Sequence, residues 1–571
     1  MTNASSVLHR RWAFLLWPRL TCIWGAGMFR WMAVIFALLW VLPAQSQTPQ
    51  RSDLMTEAFE AAQWAYLSSA GTALRQMAQR QTVGDDALAD MLRRRQLLLD
   101  QLDQAERRLA AAGGDAAGAQ LATTTQISGE IDATQSELAL LDQQLADQFP
   151  NYQALTQPTA LTIPQVQALL ADDEGLVFVF SGTRSSFVWA ITPHAAAWHR
   201  VDLPRVSMAD SVAAIRKTLI QANTLRAAAA LEEDIPQRGA PYDTVQAYLL
   251  YAELFKPLEP VLANVAHLYS VVDGPLSGLP LSLLITDSSV EASEMFDAAQ
   301  FRRVNWFFQR HAMTTLPSVD ALALVAAGQV ETPQTGFLGF GDPDFAGQVS
   351  NPNGGSFFRA GGADLDSLRA LAPLPGTRGE LRTLARLLNA GKNSLYMGQR
   401  ATETAVKQAP LDTAGVIAFA THGLLSGELR GLAEPALVLT PPNTATPTDD
   451  GLLTASEISE LDLRADWIIL SACNTAGSDG TPDGEGLSGL ARAFLFAGAR
   501  SLMVSHWPVR DDAAARLTTD TIAARSHQGT PQRKAQALQS AMQAMLMDAA
   551  TPDLAHPAAW APFVLVGHGG I

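Results

Sequence analysis

The sequence predicts an α/β fold: a mainly parallel sheet flanked by helices, preceded by an all-α helical hairpin arm. Three observations carry that expectation. From residue 242 onward, short apolar runs alternate with amphipathic stretches, the pattern of a sheet covered on both faces. Between about 52 and 150, apolar residues recur instead at three-, four- and seven-residue steps, a helical period. The chain is 571 residues long, more than one core usually fills, so several structural units are needed.

The first stretch reads as an address. Residues 1–46 hold Arg10, Arg11, Arg19 and Arg30 and no acidic residue. The apolar run from Met32 to Leu42 follows, and then Pro43-Ala44-Gln45-Ser46. A basic lead, a short apolar run and small residues two apart mark an export signal cleaved near Ser46, which places the mature protein in the periplasm or outside the cell. The rival is an uncleaved anchor over 32–42, although that run is short for a membrane span. Met28 is a second candidate start, since the segment before it is long for a signal.

Residues 47–157 form the arm. Asp53 is placed to cap a first helix carrying Phe59, Trp64, Leu67, Leu74 and Met77. Leu88, Met91, Leu98, Leu102, Ala105 and Leu109 continue the period, and Gly113-Gly114 breaks it. Ile127, Ile131, Thr134, Leu138, Leu141 and Leu145 resume it, so an antiparallel helical hairpin is expected. Such a stripe is far more often packing than a ligand site; docking of a partner protein is the arm's second reading.

Residues 158–240 read as a β-hairpin and a helical connection. Leu176–Phe180 and Phe187–Ile191 are strand-like around Ser181-Gly182-Thr183, Ala-rich helices run to about Arg238, and Gly239-Ala240-Pro241 closes the region. Residues 241–571 form the α/β domain. Its strand-like runs are His267–Val272, Gly336–Gly341, Leu395–Gly398, Val416–Thr421, Trp467–Ala472, Arg500–Ser505 and Phe563–Val566, with helices such as Arg378–Leu388 and Leu487–Ala497 between them. Pro343–Gly362 and Thr440–Asp450 read as surface loops.

Composition removes several function classes. The chain is 48% apolar and 17% charged, which excludes a disordered or fibrous protein. Its 40 basic and 56 acidic residues give a net charge of −16 with no basic stretch, so no nucleic-acid partner is expected. The only cysteines, Cys22 and Cys473, supply neither a disulfide framework nor a cysteine metal cluster. Gly484-Glu485-Gly486-Leu487-Ser488-Gly489 spells a dinucleotide fingerprint, but the preceding strand ends a dozen residues earlier, whereas that fingerprint follows its strand directly. No cofactor is expected.

Two apolar runs end in reactive side chains. Val416–Thr421 leads into His422-Gly423, and Trp467–Ala472 leads into Cys473-Asn474. Ligands of open α/β sheets sit beyond the carboxyl ends of strands, so a thiol and an imidazole delivered there are placed for nucleophilic catalysis. A thiol with a pKa near ~8.5 is mostly protonated at neutral pH; a nearby imidazole takes its proton and later protonates the leaving amine. Gly423, lacking a side chain, lets a substrate oxygen approach its N–H, which with the N–H of Cys473 forms an oxyanion hole.

These residues resemble the CHAT-domain family (caspase–HetF-associated with tetratricopeptide repeats). A hydrophobic strand ending in His-Gly and a second ending in a cysteine preceded by small residues are caspase-like signatures. The spacing here is 51 residues, against about 50 in caspases. Phe419-Ala-Thr-His-Gly423, Leu470-Ser-Ala-Cys-Asn-Thr475, the stretch Gly484–Ala493, Ser505-His-Trp-Pro508 and Trp560–Gly567 carry the resemblance. Leu374-Pro-Gly376, Gly341-Asp-Pro343 and Asp273-Gly274 through Leu279-Pro280 match as well, so it spans roughly Tyr242 to His568. The resemblance implies a caspase–hemoglobinase-like fold, a His422–Cys473 dyad and peptide-bond hydrolysis on a protein or peptide substrate. It further implies that Ser505, His506 and Trp507 line the substrate cleft. The caspase Ser-Trp-Arg run is missing there, so cleavage after Asp is not implied. Relatives often carry tetratricopeptide repeats ahead of this region; no 34-residue repeat is found here.

Three rivals stand beside that reading. His422, Cys473 and His506 with Asp479, Asp483 or Glu485 lack any His-x-x-x-His or Cys-x-x-Cys spacing, so no metal is expected. Those three acids read first as a solvated loop, and second as a pocket for a basic substrate residue or as calcium ligands. The third rival is a catalytically silent scaffold that binds a peptide or partner protein.

Overall fold

The computed structural model describes residues 51–66, scattered positions between 91 and 109, 120–148, 160–231, 242–288, 297–327, 336–345, 365–391, 393–425, most of 432–472, residue 475, 487–526 and 532–570. The chain divides into two units, residues 1–54 and 55–571, and only 51–54 of the first are described. The expected export signal therefore lies outside the described residues. Among those residues no helix is long and apolar enough to cross a membrane.

Helix α1 (Arg51–Ala65) begins ahead of Asp53, which therefore sits inside the helix and not at its cap. The arm shows part of the expected packing: Leu98, Ala105, Ile127, Leu138 and Leu141 are buried. Arg94 bonds Glu137 at 2.6 Å and Arg108 bonds Glu130 at 2.7 Å, pairings in opposite chain order that join residues 94–108 antiparallel to α2 (Gln120–Gln148). The break at Gly113-Gly114 lies outside the described residues.

Helix α3 (Ile163–Leu169) opens with a capping box in which Thr162 and Gln165 satisfy each other's backbone N–H. Strands β1 (Glu174–Ser181) and β2 (Ser186–Thr192) form the expected hairpin. Ala195–Val201, within the stretch read as Ala-rich helix, is strand β3 instead. Seven paired positions with β2 and the stacking of Trp198 on Trp189, centroids 5.7 Å apart, outweigh the alanines' helical preference. Helix α4 (Arg205–Leu231) follows, then α5 (Thr244–Leu254), capped by Asp243.

The remaining strands are β4 (His267–Val272), β5 (Ala312–Thr315), β6 (Gly336–Gly341), β7 (Leu395–Met397), β8 (Ala414–Ala420), β9 (Gly423–Leu424), β10 (Ala436–Val438), β11 (Leu452–Thr454), β12 (Trp467–Ser471), β13 (Ser501–Ser505) and β14 (Phe563–Gly567). Helices α6 (Pro375–Leu387), α7 (Gly489–Ala497), α8 (Asp511–Ser526) and α9 (Lys534–Met547) lie between them. Eleven strands form one sheet in the order β3-β2-β1-β4-β5-β14-β13-β12-β8-β6-β7, and β11-β10-β9 form a small second sheet. The pairs β1–β4, β4–β5, β12–β13, β12–β8, β6–β8 and β6–β7 are parallel, so the fold class is the α/β arrangement expected, with a large, mostly parallel sheet flanked by helices. β14 is antiparallel to β13 and meets β5 at a single position, Val566 opposite Thr315.

Two cores cover the two faces. One joins side chains of α4, α5, α6, α8 and α9 to the sheet; the other joins α1, α3 and α7 to the opposite face. The start of α9 ties the edge where strands begin. Arg533 pairs with Asp173 just ahead of β1 at 2.6 Å, and Lys534 pairs with Asp466 just ahead of β12 at 2.7 Å.

Candidate active site

The two strands that carry the candidate dyad are neighbours. β8 and β12 pair in parallel from Trp467 opposite Val416 to Ser471 opposite Ala420. His422 follows two residues after Ala420, and Cys473 two residues after Ser471. Thr421 fastens the first exit, its N–H donating to Ser471 O at 3.3 Å and its hydroxyl donating to Val438 O on β10. Cys473 itself lies outside the described residues, as do Asp479, Asp483 and Glu485.

His422 is half-buried, and its Nε2 lies 2.8 Å from the carbonyl oxygen of Ala372. A carbonyl only accepts, so this bond needs a proton on Nε2, and in the neutral ring it leaves Nδ1 with its lone pair. The chain thus supplies a backbone orienter where no acid is evident from spacing. The Phe345 ring, 5.8 Å away between centroids, packs beside the imidazole. Among the described residues no carboxylate bonds the ring.

Gly423 begins β9 opposite Leu437, and the bond from Val438 N to His422 O at 2.9 Å identifies a pair that exchanges no hydrogen bond. The Gly423 N–H consequently faces away from β10. It is a donor free of the ladder, one residue past the imidazole.

At the second exit, hydroxyls hold Ala472 and Thr475, the described residues on either side of position 473 in the chain. Ser505 at the end of β13 donates its hydroxyl to Ala472 O at 2.7 Å and its N–H to Thr475 Oγ1 at 2.9 Å. Ser488, the cap of α7, accepts from Ala491 N at 3.2 Å and donates to Thr475 O. Thr475 and Ser488, which lie in sequence on either side of Asp479, Asp483 and Glu485, are thus bonded to each other.

Ser505, His506 and Trp507 do not present their side chains to a cleft. Ser505 ends β13, an interior strand with helices on both faces, and all three residues are buried. Trp507 donates its indole N–H to Ala558 O at 3.0 Å. Burial, reinforced by the Arg216 guanidinium, pushes the His506 imidazole down to about 3, so it is neutral at ordinary pH and no acid. Arg216 Nη2 lies 3.4 Å from His506 O, so α4 also touches this strand exit.

Two groups at the site carry little sequence signal. The Ala372 carbonyl is backbone and has none. Glu380 has a faint one: it shares a helix face with Thr377, Leu381 and Leu384, an acid at a core position, and it is buried with them.

Residues 245–568, more than half of the chain, match the CHAT domain family model. Tetratricopeptide repeat protein 28 of Homo sapiens is 25% identical over 374 residues, covering 58% of this chain and 13% of that protein. The Mus musculus protein of the same name is 26% identical over 360 residues, covering 56% and 13%. The chain therefore spans about an eighth of the length of these curated relatives. Among solved structures, the Saccharomyces cerevisiae separase–securin complex aligns with 79% of this chain and 34% of its own, at 11% identity and a TM-score of 0.38. The Arg-specific cysteine proteinase gingipain R aligns with 57% and 67%, at 10% identity and a TM-score of 0.32.

Proposed function

The chain belongs to the CHAT domain family, and on that premise we propose that it is a cysteine endopeptidase with a His422–Cys473 dyad. The register of β8 and β12 supports the proposal: Ala420 and Ser471 are paired neighbours, and His422 and Cys473 each follow two residues later in the chain. Adjacent strands run about 4.8 Å apart, a spacing an imidazole and a thiol can bridge. Nδ1 of His422 takes the thiol proton as sulfur attacks a peptide carbonyl. The oxyanion is received by the N–H groups of Gly423 and Cys473, and the imidazolium returns its proton to the leaving amine. Water, activated by the same imidazole, then hydrolyses the thioester and frees the thiol.

Asp479, Asp483 and Glu485 belong to this reading as the acids of a pocket for a basic residue ahead of the scissile bond. The arm is its partner-docking element. Export places the enzyme outside the cytoplasm and leaves Cys473 as its single cysteine; the mass of the mature N-terminus checks this, with an intact Met1 or Met28 counting against it.

The deciding experiment is a proteome-wide cleavage-site profile of the wild type against Cys473→Ala. Loss of the nucleophile is expected to lower kcat/KM on any identified substrate by about a thousandfold or more. Cleavage sites shared by both samples would mean that this thiol cuts nothing.

A further inference from the structure

Beneath the end of β12 sits a carboxyl group with no paired cation among the described residues. Glu380 of α6 is buried; its Oε2 accepts from the Ser471 hydroxyl at 3.0 Å, and its Oε1 lies 2.6 Å from Thr518 Oγ1 on α8. No lysine or arginine pairs with it among the described residues. The strands packed against α6 in this core, β6, β8 and β12, carry no titratable side chain. Tyr396 of β7 stacks on Phe340 in the other core. On α8, Asp512, Arg516, Asp520 and Arg525 are engaged in ion pairs. Asp511 remains, its carboxylate capping the Gly376 N–H, and it adds negative charge near Glu380.

The hydroxyls around this group admit a neutral acid, and its burial without a paired cation favours one. The Thr518 hydroxyl has one hydrogen and three acceptors in reach: Glu380 Oε1, Ala514 O at 3.1 Å and Ala515 O at 3.1 Å. If the carboxyl is neutral, its O–H donates to Thr518 Oγ1, and the threonine hydrogen goes to the helix carbonyls. If it is ionised, that hydrogen turns inward, and the buried charge has the Ser471 and Thr518 hydroxyls as donors but no paired cation among the described residues. Burial raises the carboxyl to about 7.

We propose that Glu380 is a positioning residue, a neutral carboxylic acid that fixes Ser471 and hence the backbone presenting Cys473 against α6 and α8. The same helix is led in by Ala372, whose carbonyl holds His422, so α6 and its approach brace both strand exits. The proposal rests on Cys473 being the functional thiol, as read above. Ionisation of Glu380 places a negative charge against Ser471, two residues ahead of Cys473 in the chain, and so disfavours a thiolate there. The folded state keeps a proton that the unfolded chain releases above its ordinary carboxyl pKa of 4.5. The stability this contributes is therefore full below 4.5 and lost as pH rises toward 7.

The test uses the Cys22→Ser protein, in which Cys473 is the only thiol, with Glu380→Gln and Glu380→Ala added separately. Iodoacetamide alkylation of Cys473 and thermal unfolding are followed from acid to mildly alkaline pH, alongside cleavage of unfolded casein. Glutamine keeps an acceptor for Ser471 and a donor for Thr518 but cannot ionise. Its alkylation rate should match wild type at acid pH and exceed it above neutrality by about three- to tenfold, on the order of half to one unit of thiol pKa. Its melting temperature should lack the wild-type decline between 4.5 and 7. Alanine should alter alkylation at every pH. The proposal is overturned if Gln behaves like Ala, if Gln keeps the wild-type pH profile, or if Ala lowers the melting temperature while leaving alkylation of the folded protein unchanged. Because alkylation needs no catalysis, an absence of casein cleavage in wild type would count against the peptidase reading alone, and the alkylation and melting profiles would still decide whether Glu380 positions Cys473.

Discussion

Thr475 uses one side-chain oxygen twice, accepting the Ser505 N–H at 2.9 Å and reaching Ala472 O at 3.4 Å, in a place without solvent. Thr475→Val keeps the shape and removes both bonds, leaving a buried N–H at the end of β13 without its acceptor. Such a group costs about 1–3 kcal/mol, so chemical denaturation should show a loss of that size, and Cys473 alkylation should change with it. A variant as stable as wild type would mean that the turn is held by something other than this hydroxyl. At this scale the sequence discloses side chains with distinctive chemistry at strand ends, which is why His422, Gly423 and Cys473 could be singled out. It hides partners that are backbone, such as the Ala372 carbonyl, and hydroxyls such as Ser471, Ser488 and Ser505, because serine is common and only the fold gives these positions meaning. Ser505, His506 and Trp507 were legible as a strand exit but not in their orientation, since a strand buried on both faces has no polar side to betray direction.

Elements long and apolar enough to carry a period were legible, and short or context-dependent ones were not. His267–Val272 and Gly336–Gly341 coincide with β4 and β6, and Trp467–Ala472 exceeds β12 by one residue. Helix α7 ends where Gly498 adopts a φ of +119°, a conformation that frees the chain to turn into β13. A Cβ there would lie 1.9 Å from Leu463 O, so that glycine is required by space as well as by backbone angle. β5 has four residues, β9 two, and β10 and β11 three each, too few to show alternation. β3 was misread for a different reason: its three alanines favour helix locally, and the edge of β2 decides otherwise. The helix α6 was legible in its apolar face, yet its role in joining the Ala372 carbonyl, Ser471 and Asp511 is a property of tertiary contacts that no local pattern encodes.

Over the whole molecule, the boundary drawn near residue 241 does not separate two bodies. β1 pairs in parallel with β4 through six positions, from Glu174 opposite His267 to Val179 opposite Val272. Met208, Val212 and Ile215 of α4 lie in the same core as α8 and α9. The salt bridge from Arg533 to Asp173 closes the same connection from the far end of the chain. The family match starts at residue 245 and so leaves out strands that the sheet uses. A fragment of 241–571 would expose the edge of β4, whose every residue is now buried, together with the apolar face of α5 that α4 covers. Open apolar strand edges pair with other chains. The fragment is therefore expected to aggregate, or to unfold without a cooperative transition, while 51–571 remains monodisperse and melts in one step. Size-exclusion chromatography and calorimetry of the two proteins side by side decide it. A soluble 241–571 fragment with an unfolding transition like that of 51–571 would show that β1–β3 and α4 are an attachment to an independently stable domain.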